Sequence, residues 1–222
     1  QSFIHKTLAH KVQFFERQIL YERTKRHPPV LDRKSYVELA LLYSITDDEL
    51  ASVSSTLHNW GTILFYALDH LKDLIVIDPR WLIQLLSGII TTKHRYIRQG
   101  ILEHSDLIHI WHPNDYPEHL HPKLLQILQR FEITFPLEKY NMDDEEEWKQ
   151  GKSLVPSALP ARPDIRVSQL FPRFESTTQY ARMYQVAFVP PGFLNYLIIR
   201  VMEQLNDVHY WRNGVAGFSP QN

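Results

Sequence analysis

The sequence predicts an α+β fold in which a helical first part is followed by a smaller α/β part. Three observations predict it. Apolar residues recur at helical spacing over residues 3–59, the order helix–strand–loop–strand occurs twice, and the pattern changes after a proline-containing segment at 158–163. The chain has 222 residues, 44% of them hydrophobic and 22% charged, which suffices for one large domain or two small ones with a buried core.

Three helices are predicted before the first strand. Residues 3–23 carry one apolar stripe, and this helix ends at His27-Pro28-Pro29 because proline lacks the N–H group that a helix needs. A second helix covers 35–43. Thr46 and Glu49 have the spacing of a capping box, which predicts the start of a third helix. The stripe of the first helix consists of Ile4, Leu8, Val12, Phe15 and Ile19.

Two tandem winged-helix-like units are predicted from the strands that follow. In the first unit, short β-branched and aromatic runs at 62–66 and 74–77 form a two-stranded ribbon. In the second unit, strands at 133–137 and 153–157 take the same part. The acidic run 143–147 between the second pair of strands is predicted to be a solvated, mobile loop.

Segment 158–163 is predicted to be a linker to the α/β part. Asn213-Gly214 between the last two predicted strands is a hairpin signal. Because only four residues follow the last strand, we expect this part to be incomplete and the whole chain to be a fragment of a longer protein. The predicted elements are strands at 166–171 and 181–189, an amphipathic helix at 193–205, and strands at 208–211 and 215–218.

The composition opposes several classes of function. The formal net charge is −1, so the overall charge does not attract the chain to DNA or to an anionic membrane. The chain has no cysteine, which excludes disulfides, thiol nucleophiles and cysteine zinc sites. No apolar run approaches the roughly 20 residues of a membrane span, and no signal peptide opens the chain. A cytoplasmic location is therefore expected.

No catalytic or nucleotide-binding motif is complete. Gly151-Lys152-Ser153 is similar to the end of a phosphate-binding loop, but Glu146 stands where that loop needs a glycine. Histidines are dense between 104 and 121 without the spacing of a zinc helix, and the Gly-x-Ser-x-Gly motif is absent. We therefore expect no catalytic, cofactor-binding or metal-binding residue in this chain. A metal-dependent hydrolase that uses the histidine-rich middle is the least supported hypothesis.

A winged helix makes nucleic-acid binding the alternative function. The predicted recognition helix 47–59 begins Asp-Asp-Glu and contains no Lys or Arg, and the matching helix of the second unit offers only Lys123 and Arg130. Phosphate contacts need cations, so the charge pattern opposes this alternative. Tandem winged helices of this charge are better interpreted as protein-contact scaffolds.

Several segments together resemble the COR region of Roco proteins, in which a Ras-like GTPase domain called Roc precedes COR. The stretch LHNWGTILFYALDHLKDLIVIDPRWL (57–82) resembles the first half of COR, and residues 12–40 resemble the segment that joins Roc to it. The resemblance covers nearly the whole chain and is closest to the leucine-rich-repeat kinase branch. The other matching stretches are 100–102, 106–107, 124–137, 153–163, 183–193, 197–203 and 210–215.

The resemblance implies a domain organisation. It makes residues 1–34 a helical connector from an absent Roc domain and residues 35–157 a COR-A-like subdomain that contains the two winged-helix-like units. Residues 158–163 are then the linker, and residues 164–222 are the start of an incomplete COR-B-like α/β subdomain.

The resemblance also implies a function: a non-catalytic scaffold and relay. Such a segment packs against Roc in cis, transmits its nucleotide state and contributes to homodimerisation of the full-length protein. GTP or GDP and Mg²⁺ belong to Roc, and the parent protein is expected to be a GTPase, in one branch also a protein kinase. Tyr184, within RMYQVAFVPPGF, matches a tyrosine that faces Roc in the kinase branch. A strand-core tyrosine is the competing interpretation.

Overall fold

The computed structural model describes residues 2–66, 71–91, 95–170, 183–185, 187–190 and 192–219. Helices and short antiparallel strands share these residues, so the predicted α+β class is confirmed. The chain divides into two compact units that interleave in sequence. Unit 1 comprises Gln1–Ile89 and Leu107–Arg130, and unit 2 comprises Ile90–Asp106 and Phe131–Asn222.

Unit 1 is mainly helical. The predicted stripe of its first helix faces the core, because Val12, Phe15 and Ile19 are buried there; the side chains of Ile4 and Leu8 lie outside the described residues. The helices of unit 1 are α1 (Ser2–Lys25), α2 (Arg33–Leu42), α3 (Asp47–Asn59), α4 (Pro79–Ile90), α5 (Leu107–Ile110) and α6 (His121–Arg130), and its strands are β1 (Val30–Asp32) and β2 (Leu74–Val76).

Polar side chains fix where these helices begin. The Asp32 carboxylate accepts the backbone N–H of Ser35 at 2.8 Å at the start of α2. The predicted capping box of α3 is confirmed, since the Glu49 carboxylate accepts the backbone N–H of Thr46 at 3.1 Å. That hydrogen bond, together with one from Lys11, lowers the pKa of Glu49 below its usual range.

The first predicted ribbon is only partly correct. Residues 62–66 do not form a strand. They contribute only a single antiparallel bridge, between Leu64 and Val76. The main partner of β2 is β1, with Leu31 opposite Ile75. A three-residue strand is too short to show an alternating pattern, so β1 is not recognisable from the sequence.

Unit 2 contains a four-stranded antiparallel sheet in the order β3–β4–β6–β5 and a separate β7–β8 hairpin. The predicted pairing of 133–137 with 153–157 is confirmed in shortened form, with Phe135 opposite Leu154. The strands are β3 (Ile97–Arg98), β4 (Ile101–Glu103), β5 (Phe135–Pro136), β6 (Lys152–Leu154), β7 (Asn206–Trp211) and β8 (Gly214–Phe218), and the helices are α7 (Glu145–Gln150), α8 (Ile165–Leu170) and α9 (Phe193–Met202).

The acidic run 143–147 is not the loop that the sequence predicts. Most of it forms the start of α7, where the Asp144 carboxylate accepts the backbone N–H groups of Glu146 and Glu147, both at 3.1 Å. Negative charge at a helix N-terminus is favourable, and Trp148 one turn later is buried and anchors the helix. Charge density alone therefore misidentified a capped, anchored helix as a mobile loop.

Two predicted strands of the α/β part are wrong within the described residues. Residues 165–170 form α8, whose first turn is held by the Asp164 carboxylate accepting the backbone N–H of Arg166 at 2.9 Å. Of the predicted strand at 181–189, residues 183–185 and 187–189 are not in a strand, and the others lie outside the described residues. Phe171 also lies outside them.

The predicted C-terminal helix and hairpin are confirmed with shifted ends. α9 ends at Met202 rather than at 205, and Trp211 pairs with Gly214, so the two turn residues are Arg212 and Asn213. An added Cβ at Gly214 would overlap the Trp211 ring, so this glycine is required by packing.

The core of unit 2 joins the four-stranded sheet to α9. Buried Leu154, Leu159, Ile198 and Ile199 form it, and Tyr210 and Val215 of the hairpin pack against it. Leu159 belongs to the predicted linker 158–163, which thus contributes a core residue. The winged-helix assignment and the domain boundaries at 34 and 157 stay predictions.

Candidate protein-interface site

Tyr184, the predicted interface residue, lies in a stretch of unit 2 without regular structure. Its side chain is 81% exposed, and that of its neighbour Met183 is 95% exposed. A tyrosine buried in the core of a strand is therefore excluded. An aromatic side chain left in solvent is available to a partner, whereas contact with a Roc domain stays a prediction.

The start of α9 is fixed by a glycine. Gly192 has a φ of 83°, in the left-handed region that other residues adopt with strain, and its carbonyl accepts the N–H of Tyr196 at 3.0 Å. The N–H of Phe193 donates to the carbonyl of Pro190 at 3.1 Å. This turn sets the direction in which α9 leaves the irregular segment.

α9 presents apolar side chains on two faces. One face carries Ile198 and Ile199 into the core of unit 2. The other face exposes four large side chains, each with 40 to 46% of its surface in solvent. A helix that is apolar all round is normally covered on both sides, so this second face is a candidate contact surface. The exposed side chains are Phe193, Leu194, Tyr196 and Leu197.

A cation borders this face of α9. The Arg200 guanidinium donates to the Tyr196 hydroxyl at 3.0 Å and lies 5.1 Å from the centre of its ring. The hydrogen bond from Arg200 to Tyr196 and the nearby Glu203 raise the pKa of Arg200 above its ordinary value. An arginine stacked on an aromatic ring beside apolar side chains is a common composition for protein interfaces.

The large aromatic side chains are divided between core and surface. Trp81, Trp111 and Tyr116 are buried, and Trp211 is half-buried. By contrast, Trp60, Tyr184, Phe188 and Phe193 are largely exposed. Of these four, only Phe193 had a signal in the sequence: it opens FLNYLII at 193–199, which is too uniformly apolar for a helix with one solvated face.

The sequence similar to a phosphate-binding loop takes another conformation. Gly151 follows α7, Lys152 begins β6 and pairs with Glu103 at 3.2 Å, and the Ser153 hydroxyl is buried against His104 at 2.8 Å. A phosphate loop instead precedes a helix and presents its N–H groups to the ligand. These residues hold the sheet together.

The histidines of the dense region have separate surroundings. His104 is buried in unit 2, with Nδ1 2.7 Å from the carbonyl oxygen of Trp148 and Nε2 2.8 Å from the Ser153 hydroxyl. Burial lowers the pKa of this histidine below its ordinary value. His121 is buried in unit 1, with Nε2 2.9 Å from the Tyr116 carbonyl oxygen. Throughout the described part of the chain, no three metal-binding side chains come together.

Comparison with known families identifies this segment. Residues 13–159 match the family described as "C-terminal of Roc, COR-A domain". The chain belongs to the COR-A domain family of Roco proteins. Its matched range begins within α1 and ends within the predicted linker, before Tyr184 and α9.

Several curated relatives of this COR-A chain are long proteins from Dictyostelium discoideum. The chain is 34% identical over 220 residues to "Probable serine/threonine-protein kinase pats1", covering 97% of this chain and 7% of that protein. It is 30% identical over 207 residues to "Probable serine/threonine-protein kinase roco11", covering 88% of this chain and 13% of that protein. It is 31% identical over 198 residues to "Cyclic GMP-binding protein C", covering 84% of this chain and 8% of that protein. The COR-A chain thus spans less than a sixth of the length of these relatives.

A solved structure shares the fold. The "Structure of methanosarcina barkeri Roco2 RocCORdC bound to GDP" matches with a TM-score of 0.52 and 18% identity, covering 69% of this chain and 44% of that one. At this identity the likeness concerns the fold alone. Within the described ranges of the COR-A chain, no helix is long and apolar enough to cross a lipid bilayer.

Proposed function

We propose that this COR-A chain is a non-catalytic scaffold and relay. In this proposal it packs against a Ras-like Roc GTPase domain in cis and passes the nucleotide state of Roc to the rest of a multidomain protein. GTP or GDP and Mg²⁺ bind to Roc and not to this chain. The parent protein is a GTPase located in the cytoplasm. Some of its relatives are also kinases.

The single observation that carries the proposal is the exposed apolar surface of unit 2 in a chain of this family. Tyr184 and Met183 are almost fully exposed, and α9 leaves its second apolar face uncovered. Aromatic and aliphatic side chains of this kind supply most of the binding free energy in protein interfaces. Family membership supports Roc as the partner, because the family takes its name from its position C-terminal to Roc.

A relay requires two arrangements whose contacts with Roc differ in free energy. A nucleotide that binds both arrangements with equal affinity does not shift the equilibrium between them. We infer that one nucleotide state of Roc buries Tyr184 and the other leaves it in solvent. The free-energy difference between these contacts is then the coupling, for which 1–3 kcal/mol is roughly typical of allosteric proteins.

The alternative of nucleic-acid binding has little support. α3 begins with Asp47, Asp48 and Glu49, whose carboxylates would face the phosphates of a bound duplex. A steep dependence of DNA affinity on salt would speak for this alternative.

Replacing Tyr184 tests its assigned role. We expect Tyr184→Ala to weaken binding of the isolated Roc domain about tenfold and to change GTP turnover, because truncating an aromatic anchor commonly costs between 1 and 2 kcal/mol or more. The control is Leu42→Ala, which truncates a side chain that is 78% exposed in unit 1. Unchanged affinity and turnover in Tyr184→Ala would show that the tyrosine has no such role.

Homodimerisation is proposed to use the exposed face of α9. A charge placed there should oppose burial of that face, so Leu197→Glu should weaken self-association of a longer protein that contains this chain. Sedimentation equilibrium measures the dissociation constant, and Ile83→Glu on the exposed side of α4 is the control. If both variants dimerise as the parent does, α9 is not part of the dimer interface.

A further inference from the structure

Three arginines surround a recess in unit 1. The recess lies between the end of α1 and the start of α4 and has a volume of about 390 Å³. Arg23, Arg26 and Arg80 line it, together with His27, Asp78 and Trp81. Arginine is the side chain that most often binds phosphate and carboxylate groups, because its planar N–H groups match the spacing of their oxygens.

Arg23 is held in place by the backbone. Its Nε donates to the carbonyl of Ile77 at 2.6 Å and its Nη2 donates to the carbonyl of Thr62 at 2.8 Å. Both partners are neutral, and the described part of the chain gives Arg23 no carboxylate within ion-pair distance. The guanidinium therefore keeps its full positive charge and has N–H groups to spare in a fixed orientation. Such preorganisation lowers the entropy lost on binding.

The other two arginines each lie beside one carboxylate. Arg26 donates from Nε to Glu22 at 2.8 Å, which leaves both of its terminal nitrogens without a partner in the described chain. Arg80 lies 3.6 Å from Asp78 with 80% of its side chain in solvent. Asp78 is itself engaged, because its carboxylate accepts the backbone N–H of Arg80 at 3.1 Å. The lining thus has three arginines and one carboxylate, with Glu22 behind Arg26 and Asp115 beside His27 as two further carboxylates nearby.

The remaining walls are rigid. Trp81 is buried, its indole N–H donates to the carbonyl of Asp115 at 3.0 Å, and its ring lies 5.0 Å from that of Tyr116. His27 lies at the rim, where its Nε2 is 2.8 Å from the Asp115 carboxylate. A recess with a fixed floor and exposed arginines at its mouth can receive an anion without rearranging the fold.

We propose that this recess binds a phosphate monoester dianion. Its three terminal oxygens can accept N–H groups from three guanidiniums at once, and its negative charge suits Arg23, which has no carboxylate partner in the described chain. A single carboxylate offers two oxygens and one charge, so it uses the site incompletely. The same chemistry is present in inorganic phosphate and in a phosphorylated serine of a partner segment. This proposal is independent of the function assigned to Tyr184.

NMR titrations of the isotope-labelled chain test the proposal. The probes are inorganic phosphate, a capped Gly-Ala-phosphoserine-Ala-Gly peptide and its unphosphorylated form, and the signals are the side-chain N–H groups of Arg23 and Trp81. We expect saturable shifts with both phosphate probes and none with the unphosphorylated peptide. Tighter binding of the phosphopeptide identifies a phosphoprotein as the natural source, and equal or tighter binding of inorganic phosphate identifies a small anion.

Variants separate this site from general attraction to positive charge. The double substitution Arg26→Gln and Arg80→Gln should weaken binding at least about tenfold, the effect of losing about one charge-assisted hydrogen bond. Arg17→Gln removes one positive charge from the exposed side of α1 and should leave affinity unchanged. Both altered side chains of the double variant are partly exposed, and unchanged circular dichroism verifies its fold. Absence of saturation, equal binding of the unphosphorylated peptide, or equal losses in both variants would overturn the proposal.

Discussion

His104 is buried in unit 2, and both of its ring nitrogens have a partner. The Trp148 carbonyl can only accept, so Nδ1 carries the proton and Nε2 accepts from the Ser153 hydroxyl. The neutral ring satisfies both contacts, whereas a protonated ring would place a second N–H against Ser153 and a charge in the core. Burial accordingly lowers the pKa of His104.

Acid should weaken the fold through His104. In the unfolded chain its pKa returns to about 6.5, so below that pH the unfolded chain takes up a proton that the folded chain does not. Stability from this residue is therefore complete above about pH 6.5 and is lost as the pH falls toward the lowered folded-state pKa, at a rate of up to about 1.4 kcal/mol per pH unit. Urea unfolding between pH 7.5 and pH 5 measures it.

The matched variants for this measurement are His104→Gln and His119→Gln. The first should lower the free energy of unfolding at pH 7.5 by roughly 1–3 kcal/mol, because buried partners lose their hydrogen bonds, and it should flatten the acid slope. His119 is exposed, so its replacement should change neither quantity. An acid slope equal in all three proteins would mean that His104 does not cause it.

At the scale of elements, the β3–β4 hairpin shows what a glycine contributes. Gln99 and Gly100 form its two-residue turn with φ values of 55° and 80°, the arrangement of a type I′ turn. A Cβ built on Gly100 would lie 2.6 Å from Cδ2 of Leu159, a core residue. Gly100 thus combines a left-handed backbone with close packing against the predicted linker.

Replacing Gly100 should lower the free energy of unfolding more than replacing a glycine that has the same backbone conformation but no close neighbours. Gly61 has a φ of 71° and nothing within 4 Å of an added Cβ. We expect Gly61→Ala to cost about 1 kcal/mol from backbone strain alone, and Gly100→Ala to cost about 2–4 kcal/mol because the clash with Leu159 is added. Chemical denaturation gives both values, and equal losses would contradict the packing role assigned to Leu159.

The length of an element explains whether the sequence predicts it. α1, α3 and α9 are long enough to show a stripe, a cap or a uniformly apolar run, and all of them form. Elements of two to six residues, such as β1, β3 and α8, depend on tertiary pairing or a single capping side chain and leave no periodic trace. α7 is the clearest failure, because its acidic first turn is typical both of a solvated loop and of a well-capped helix.

At the scale of the whole molecule, the family match and the two compact units do not share boundaries. The COR-A match covers residues 13–159, whereas unit 2 takes up residues 90–106 and 131–159 of that range together with residues 160–222. α9 and the β7–β8 hairpin therefore share a core with strands inside the matched range. A contact on α9 therefore acts on a core that includes residues of the matched range.

The candidate site was predictable only in part. Tyr184 was identified through the resemblance to Roco proteins, while the exposed face of α9 and the arginine recess depend on positions far apart in sequence. Arg23 and Arg80, for example, are brought together by the Ile77 carbonyl that ends the β1–β2 ribbon. No local pattern encodes that approach.

The most direct test of the relay is the affinity of this chain for its Roc domain in two nucleotide states. Isothermal titration with Roc loaded with GDP, and separately with a non-hydrolysable GTP analogue and Mg²⁺, gives both dissociation constants under one salt condition. Coupling of about 1–3 kcal/mol predicts constants that differ by roughly five- to 150-fold. Two equal constants would contradict the relay, however tightly the chain binds, because a partner without differential affinity transmits no state.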